Sequence, residues 1–124
     1  MKQSLFDDDK TVIFVFGSNL AGRHGRGSAL EAVKNWGAVY GNGVGLQGRS
    51  YAIPTKDEYL KVLPLEEISK YVREFVEFAR SNQNMEFYVV KIGCGLSGYR
   101  DSDIQPMFEI EKPLPCNIVL PKGW

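Results

Sequence analysis

The sequence predicts an α/β domain, a three-layer sandwich with a mixed, mostly parallel sheet between helices. Three observations carry that expectation. Strand-like and helix-like segments alternate along the chain, which is the element order of a sheet covered by helices. Two of the strand-like runs lead into dense glycine clusters. The longest helix-like segment has one clean apolar stripe, as a helix lying on a sheet requires.

The elements follow in order. "TVIFVF" (11–16) is short, β-branched and aromatic, and Gly17 bounds it, so it reads as a buried strand. "GSALEAVKNWG" (27–37) reads as a helix with Ala29, Val33 and Trp36 on its inner face, Trp36 belonging to the core. Gly37 serves as its stop. "YAIPTK" (51–56) is a strand whose Pro54, lacking an N–H, predicts a sheet edge or a strand end. From Pro64, "PLEEISKYVREFVEFARS" places Ile68, Val72, Phe75 and Ala79 at helical spacing, with Glu66 and Glu67 at the positive helix start. "EFYVVKIG" (86–93) is another strand. "SDIQPMFEI" (102–110) is a short helix in which Pro106 is expected in the first turn, and "CNIVLP" (116–121) a last strand.

Composition limits the function classes. The chain has 124 residues, enough for a single domain over 1–124, with 1–10 set apart as a candidate flexible N-terminal segment. Hydrophobic residues are 44%, which builds a core without disulfide staples. Fifteen basic residues balance fifteen acidic ones, which argues against a grip on a long nucleic-acid backbone. Two cysteines, Cys94 and Cys116, make neither a disulfide framework nor a metal-ligand set, so no metal and no cofactor is expected. "MKQSLFDDDK" has no long apolar core of a signal peptide, and no stretch is long enough to span a bilayer. The expectation is a soluble, cytoplasmic protein with no membrane partner and with reduced thiols.

Glycine supplies the functional lead. Nine of the thirteen glycines fall between Gly17 and Gly48, and three more form "GCGLSG" (93–98). Glycine is entropically costly to order, so such clusters need a geometric reason. A tight turn is one. The other is a ligand: in open α/β sheets ligands bind beyond the carboxyl ends of strands, where bare backbone N–H groups can face a phosphate. Gly93, Gly95 and Gly98 match G-x-G-x-x-G, but a short proline-containing segment follows and no acidic residue stands about 20 residues on. The dinucleotide fingerprint fails on context.

"SNLAGRHGRGSALEAVKNWG", "YAIPTK" and "KIGCGLSGY" together resemble the macrodomain family of ADP-ribose-binding modules. The similarity is nearest to the branch of the terminal ADP-ribose protein glycohydrolases and to short macrodomain-like proteins of phages and prophages, and runs from Thr11 to about Leu120. It implies a macrodomain-like fold with ADP-ribose, or a related nucleotide diphosphate, held between the two glycine loops. The implied contacts are Gly17, Ser18, Asn19, Arg23, Gly25, Arg26 and Gly27 from the first loop. From the second they are Gly93, Cys94, Gly95, Leu96, Ser97, Gly98 and Tyr99, with backbone amides on the diphosphate. Asn19 would lie near the distal ribose.

In the glycohydrolase branch a lysine after the middle strand attacks the ribose and a loop aspartate assists. Lys56 matches the lysine, but the aspartate position holds Ser97, which lacks a carboxylate's basicity. Asp101 and Asp103 follow on the far side of the loop, and Asp7 to Asp9 match the family's adenine-reading aspartate poorly. The resemblance thus implies a reader, a sequestering protein or a weak ADP-ribosyl hydrolase. An ADP-ribosylated protein or nucleic acid would be the partner, in the host cytoplasm if the protein is phage-encoded.

Each candidate has a plain alternative. Lys56 is by base rate more often a solvated surface lysine, and Arg23 and Arg26 read equally as solvated loop charges or as phosphate forks. The lone His24 reads as a polar contact, Cys94 as apolar filling, Ser97 as a turn cap, and Tyr99 as a core ring. Trp124 is either tail or folded back. A macrodomain-shaped interaction or oligomerising module without small-molecule activity is the alternative function, with Tyr59, Leu60, Val62 and Leu63 as its contact surface.

Overall fold

The computed structural model describes residues 10–124, so all of the N-terminal segment except Lys10, including Asp7 to Asp9, lies outside the described residues. The order is β1 (Thr11–Asn19), α1 (Gly27–Asn35), β2 (Gly45–Gln47), β3 (Ser50–Lys56), α2 (Leu65–Arg80), β4 (Met85–Val89), α3 (Asp101–Ile110) and β5 (Ile118–Val119). Five strands form one sheet in the order β2-β3-β1-β4-β5. β1 pairs parallel with both β3 and β4, β4 pairs parallel with β5, and only β2 runs antiparallel to β3.

The pleat sorts the central strands onto two faces. Ile13 and Val15 of β1 join Tyr51 and Ile53 of β3 in the larger core, where they meet α2 and α3. Phe14 and Phe16 point the other way, joining Ala52 and the small side chains Ala29 and Ala32 of α1. One helix therefore covers one face and two cover the other, the three-layer α/β sandwich expected. The α2 stripe of Ile68, Val72, Phe75 and Ala79 is fully buried, and Val76 adds to it. Burying a phenylalanine there is worth several kcal/mol; Phe75→Ala in such a site costs about 3–5 kcal/mol.

Local differences from the expected elements have identifiable causes. β1 does not stop at Gly17 but runs on to Asn19, because Gly17 and Ser18 keep pairing with Ile53 and Pro54 before the register shifts. β2 was not expected; it turns into β3 through the two-residue connection Gly48–Arg49, with Gly48 at φ +60, a hairpin geometry that favours glycine. Its Gly48 is also pressed against Gly37. β3 is an interior strand, yet β2 pairs only as far as Ala52, so Pro54 sits where that neighbour has ended. β4 ends at Val89, where a tight turn closed by Ile92 N–H donating to the Val90 carbonyl bends the chain into the second loop.

Two expectations on helices need correction. Trp36 caps α1 instead of lying on its inner face; half-buried, it stacks on Phe14 at 5.4 Å with the Arg49 guanidinium over its ring. Pro106 lies beyond the first turn, inside α3, at an exposed position. Trp124 folds back onto Phe108, ring centroids 5.7 Å apart.

Candidate functional site: a cleft beyond the parallel strands

The carboxyl ends of the parallel strands β1 and β3, and the loop that follows β4, open into a cleft of two adjoining lobes. The first, about 300 Å³, is lined by Gly17, Thr55, the start of α1 (Arg26, Gly27, Ser28) and residues on both arms of the second glycine loop, Val90 to Gly93 and Gly95 to Ser97. The second, about 400 Å³, continues over Ser18, Asn19, Arg23, Gly25, Ala29, Tyr40, Lys56 and Leu60. Gly17, Arg26, Thr55, Leu96 and Ser97 border both. The position obeys the rule for ligand sites in α/β sheets.

The two glycine loops come together here. A Cβ placed on Gly27 would lie 3.6 Å from Leu96 Cδ1, so the start of α1 and the tip of the second loop form facing walls. Within the second loop, Cys94 N–H donates to Lys91, Gly98 N–H to Gly95 and Tyr99 N–H to Gly93. Among the described residues the N–H groups of Gly95, Leu96 and Ser97 make no hydrogen bond, and all three residues line the first lobe. The loop is fixed at its base: Ser97 Oγ lies 2.8 Å from Thr55 Oγ1, and Tyr99 donates its hydroxyl to the Leu63 carbonyl at 2.6 Å.

The opposite wall is the start of α1. Its cap residue Arg26 is extended and gives no side-chain cap, and the first turn carries no acidic residue, so the positive helix end and its orphan N–H groups lie bare beside the first lobe. α2 and α3 differ, with Glu66 and Glu67 on one and Asp103 accepting from Arg100 N–H on the other.

Charge agrees with these donors. Arg23, Arg26, Lys56 and Lys91 line the cleft, and among the described residues no carboxylate does. Lys91 is paired with Asp101 at 2.9 Å, and that hydrogen bond holds the Asp101 carboxyl below the usual carboxylate range. Among the described residues, Arg23, Arg26 and Lys56 have no acidic partner within ion-pair distance. A chain of zero formal charge thus gathers at one opening three cations that have no acidic partner among the described residues.

Most expected contacts line the cleft: Gly17, Ser18, Asn19, Arg23, Gly25, Arg26, Gly27, Lys56, Gly93, Gly95, Leu96 and Ser97. Cys94, Gly98 and Tyr99 do not. Cys94 packs against the core, where burial, with Asp101 adding to it, pushes its thiol up to about 11, which keeps it protonated at neutral pH. Tyr99 also turns to the core. Asn19 borders the second lobe, and its side-chain amide is oriented by two hydrogen bonds, one donated to the Arg23 carbonyl and one accepted from Arg23 N–H, both at 2.9 Å, which leave one amide N–H and one lone pair of the oxygen free. His24 is buried under Phe16, with Nε2 2.8 Å from the Asn42 carbonyl, a structural contact. Asp101 and Asp103 stand outside both lobes.

Sequence reasoning passed over Thr55 and Tyr40, and it read Leu60 as part of an interaction surface rather than of the cleft. Thr55 lies within the quoted "YAIPTK" and was open to notice. Leu60 is the one described non-glycine residue at positive φ, +65, in a turn where Asp57 accepts from the N–H groups of Tyr59 and Lys61. Nothing in a local pattern marks Tyr40.

No family model matches this chain, and neither a curated protein nor a solved structure matches it. Among the described residues no helix is long and apolar enough to cross a membrane, and no three metal-ligating side chains gather.

Proposed function

We propose that this protein binds ADP-ribose or a related nucleotide diphosphate in the cleft, with the diphosphate between the second glycine loop and the start of α1. The observation that carries the proposal is the meeting, from both walls, of N–H groups without a partner among the described residues, in a cleft lined by four cations and by no described carboxylate. Such N–H groups satisfy an anion at little steric cost, and the helix dipole adds to them. Both lobes fall within the size of small-ligand sites, about 300–1,000 Å³. The macrodomain resemblance supports the same ligand class on the same loops.

Binding is favoured over turnover. Hydrolysis of an ADP-ribosyl bond needs a base or nucleophile poised at the anomeric carbon. Lys56 borders the second lobe, but among the described residues no carboxylate lines the cleft, and Ser97 is engaged with Thr55. The role is that of a reader or sequestering protein. If Lys56 does act as a nucleophile, Lys56→Ala abolishes release of ADP-ribose from a modified substrate.

A thermal-shift titration tests the binding. A ligand specific for the folded state, at a hundred times its dissociation constant, stabilises by about 2.7 kcal/mol. ADP-ribose is therefore expected to raise the melting temperature by several degrees, and inorganic pyrophosphate by less. An unchanged melting temperature at millimolar ADP-ribose rejects the proposal.

A second reading has its own observation. Tyr59, Leu60 and Val62 are 76%, 41% and 43% exposed, a cluster of apolar side chains on one turn, while Leu63 is buried. Exposed clusters of this kind suit a protein partner or a second copy. Light scattering that shows an oligomer, with no nucleotide effect on melting, favours this interaction module instead.

A further inference from the structure

The two edges of the sheet are finished differently. At one edge β5 is two residues long, flanked by Pro115 and Pro121 with Lys122 beyond, features that keep an edge strand from pairing further. At the other edge β2 has no such guard. It lies in "GAVYGNGVGLQG" (37–48), twelve residues without a charged side chain in a chain that is 24% charged. An edge left neutral over that length invites contact.

The main chain of β2 has room for a further strand. Gln47 pairs with Ser50 and Gly45 with Ala52, on either side of the Leu46–Tyr51 pair. Bonded and open pairs alternate in an antiparallel ladder, and the two-residue connection Gly48–Arg49 closes on Gln47 and Ser50 as a bonded pair. The N–H and C=O of Leu46 therefore face away from β3, and among the described residues neither has a hydrogen-bond partner. Apolar side chains follow the same edge. Val44 and Leu46 are exposed, as is Val39, whose N–H donates to Gln47 Oε1. β1 pairs with β3 as far as Lys56, so the Lys56–Val62 bridge occupies the opposite side of β3, in line with β2. That extends the strip to exposed Val62 and Tyr59.

We infer that β2 pairs with β2 of a second copy of this chain, antiparallel about a two-fold axis at Leu46, joining two sheets into one. The edge suits its own copy. Across the axis each Leu46 donates its N–H to the C=O of the other, so one residue closes both bonds. A charged edge would repel its own copy, and this one carries no charge. Beyond the neutral centre, the two-fold turns the Gly48–Arg49 connection of each copy towards the other's turn after β3, so exposed Arg49 approaches exposed Glu58 at both ends. A stable interface takes about 800 Å² from each partner, more than a three-residue strand supplies, and the flanking apolar strip provides the remainder. None of these residues lines the cleft, so the dimer stands whichever reading of the cleft holds.

Sedimentation equilibrium on the full chain tests the inference, with wild type, Leu46→Lys, Arg49→Glu, Glu58→Arg and the double reversal. The wild type should sediment at twice the chain mass, and its Leu46 amide should exchange slowly with deuterated solvent only in the dimer. Leu46→Lys sets two like charges at the axis and should weaken the dimer at least about a hundredfold. Its far-ultraviolet circular dichroism should match the wild type. Each reversal alone should weaken the dimer about threefold, and the two together should restore it. A wild type at one chain mass up to millimolar concentration overturns the inference and leaves the edge to a strand of another protein. An assembly larger than two chains overturns the two-fold. A dimer that folded Leu46→Lys leaves intact overturns it too; if that variant does not fold, a dimer indifferent to the reversals does so instead.

Discussion

Gly43 and Gly95 are the same residue in glycine-rich loops, and they are there for opposite reasons. A Cβ on Gly43 would stand 2.0 Å from the Asn19 carbonyl oxygen, and Ser18 donates its hydroxyl to the Gly43 carbonyl; two stretches of backbone are pressed together. Gly22 is alike, its would-be Cβ 2.2 Å from Gly41. A Cβ on Gly95 meets nothing within 4 Å, and Gly95 lines the first lobe of the cleft. The glycines around Gly43 bring chain segments into contact, and Gly95 leaves room for something that is not part of the chain. The question of why β1 leads into so much glycine thus has two answers, tight packing behind the first loop and open space in front of the second.

Substitutions separate the two roles. Gly43→Ala and Gly22→Ala should be the most damaging, costing about 4 kcal/mol or preventing folded protein from accumulating, as measured by chemical denaturation. Arg26→Ala comes next, read in ligand binding: affinity for ADP-ribose should fall about tenfold and its dependence on salt should flatten, since a charge-assisted contact is lost. Gly93→Ala should cost about 1–2 kcal/mol, because Gly93 holds φ +74 and a Cβ would crowd Ile104 at 3.2 Å.

Gly25→Ala and Gly95→Ala should leave stability within about 0.5 kcal/mol of wild type. A large loss in either would mean that the open loops are packed after all. A thiol assay at pH 7.5 gives the mildest contrast: exposed Cys116 should react well before Cys94, whose thiol is held protonated by burial.

The fold was legible where the signal is local and periodic. The helical spacing from Ile68 to Ala79 and the apolar run of β1 are properties of neighbouring residues, and packing only confirms them. β2 was missed because three residues of "GLQ" carry no alternation; the Gly-Arg pair before Ser50 was its sole trace. The candidate cleft was half legible. Its glycines and cations stand in the motifs, and most of them do border it. Which glycine packs and which opens cannot be read locally, since Gly43 is defined by Asn19, more than twenty residues away in the chain. Tyr40 reaches the cleft only because Gly41 and Gly22 join their turns. Cys94 and Tyr99 stand in the expected loop, but their side chains turn inward, a direction no motif encodes.

Calorimetric titration of ADP-ribose into wild type and Gly95→Glu, side by side, bears on the anion cleft with the least intermediary. The substitution adds a carboxylate at a position that lines the first lobe and whose Cβ meets nothing within 4 Å, so the fold should be kept while the anion is repelled. One molecule of ADP-ribose bound per wild-type chain, with affinity at least a hundredfold weaker in Gly95→Glu at equal melting temperature, is the result expected. Equal affinities in the two proteins, or no heat from the wild type at millimolar ligand, would contradict it.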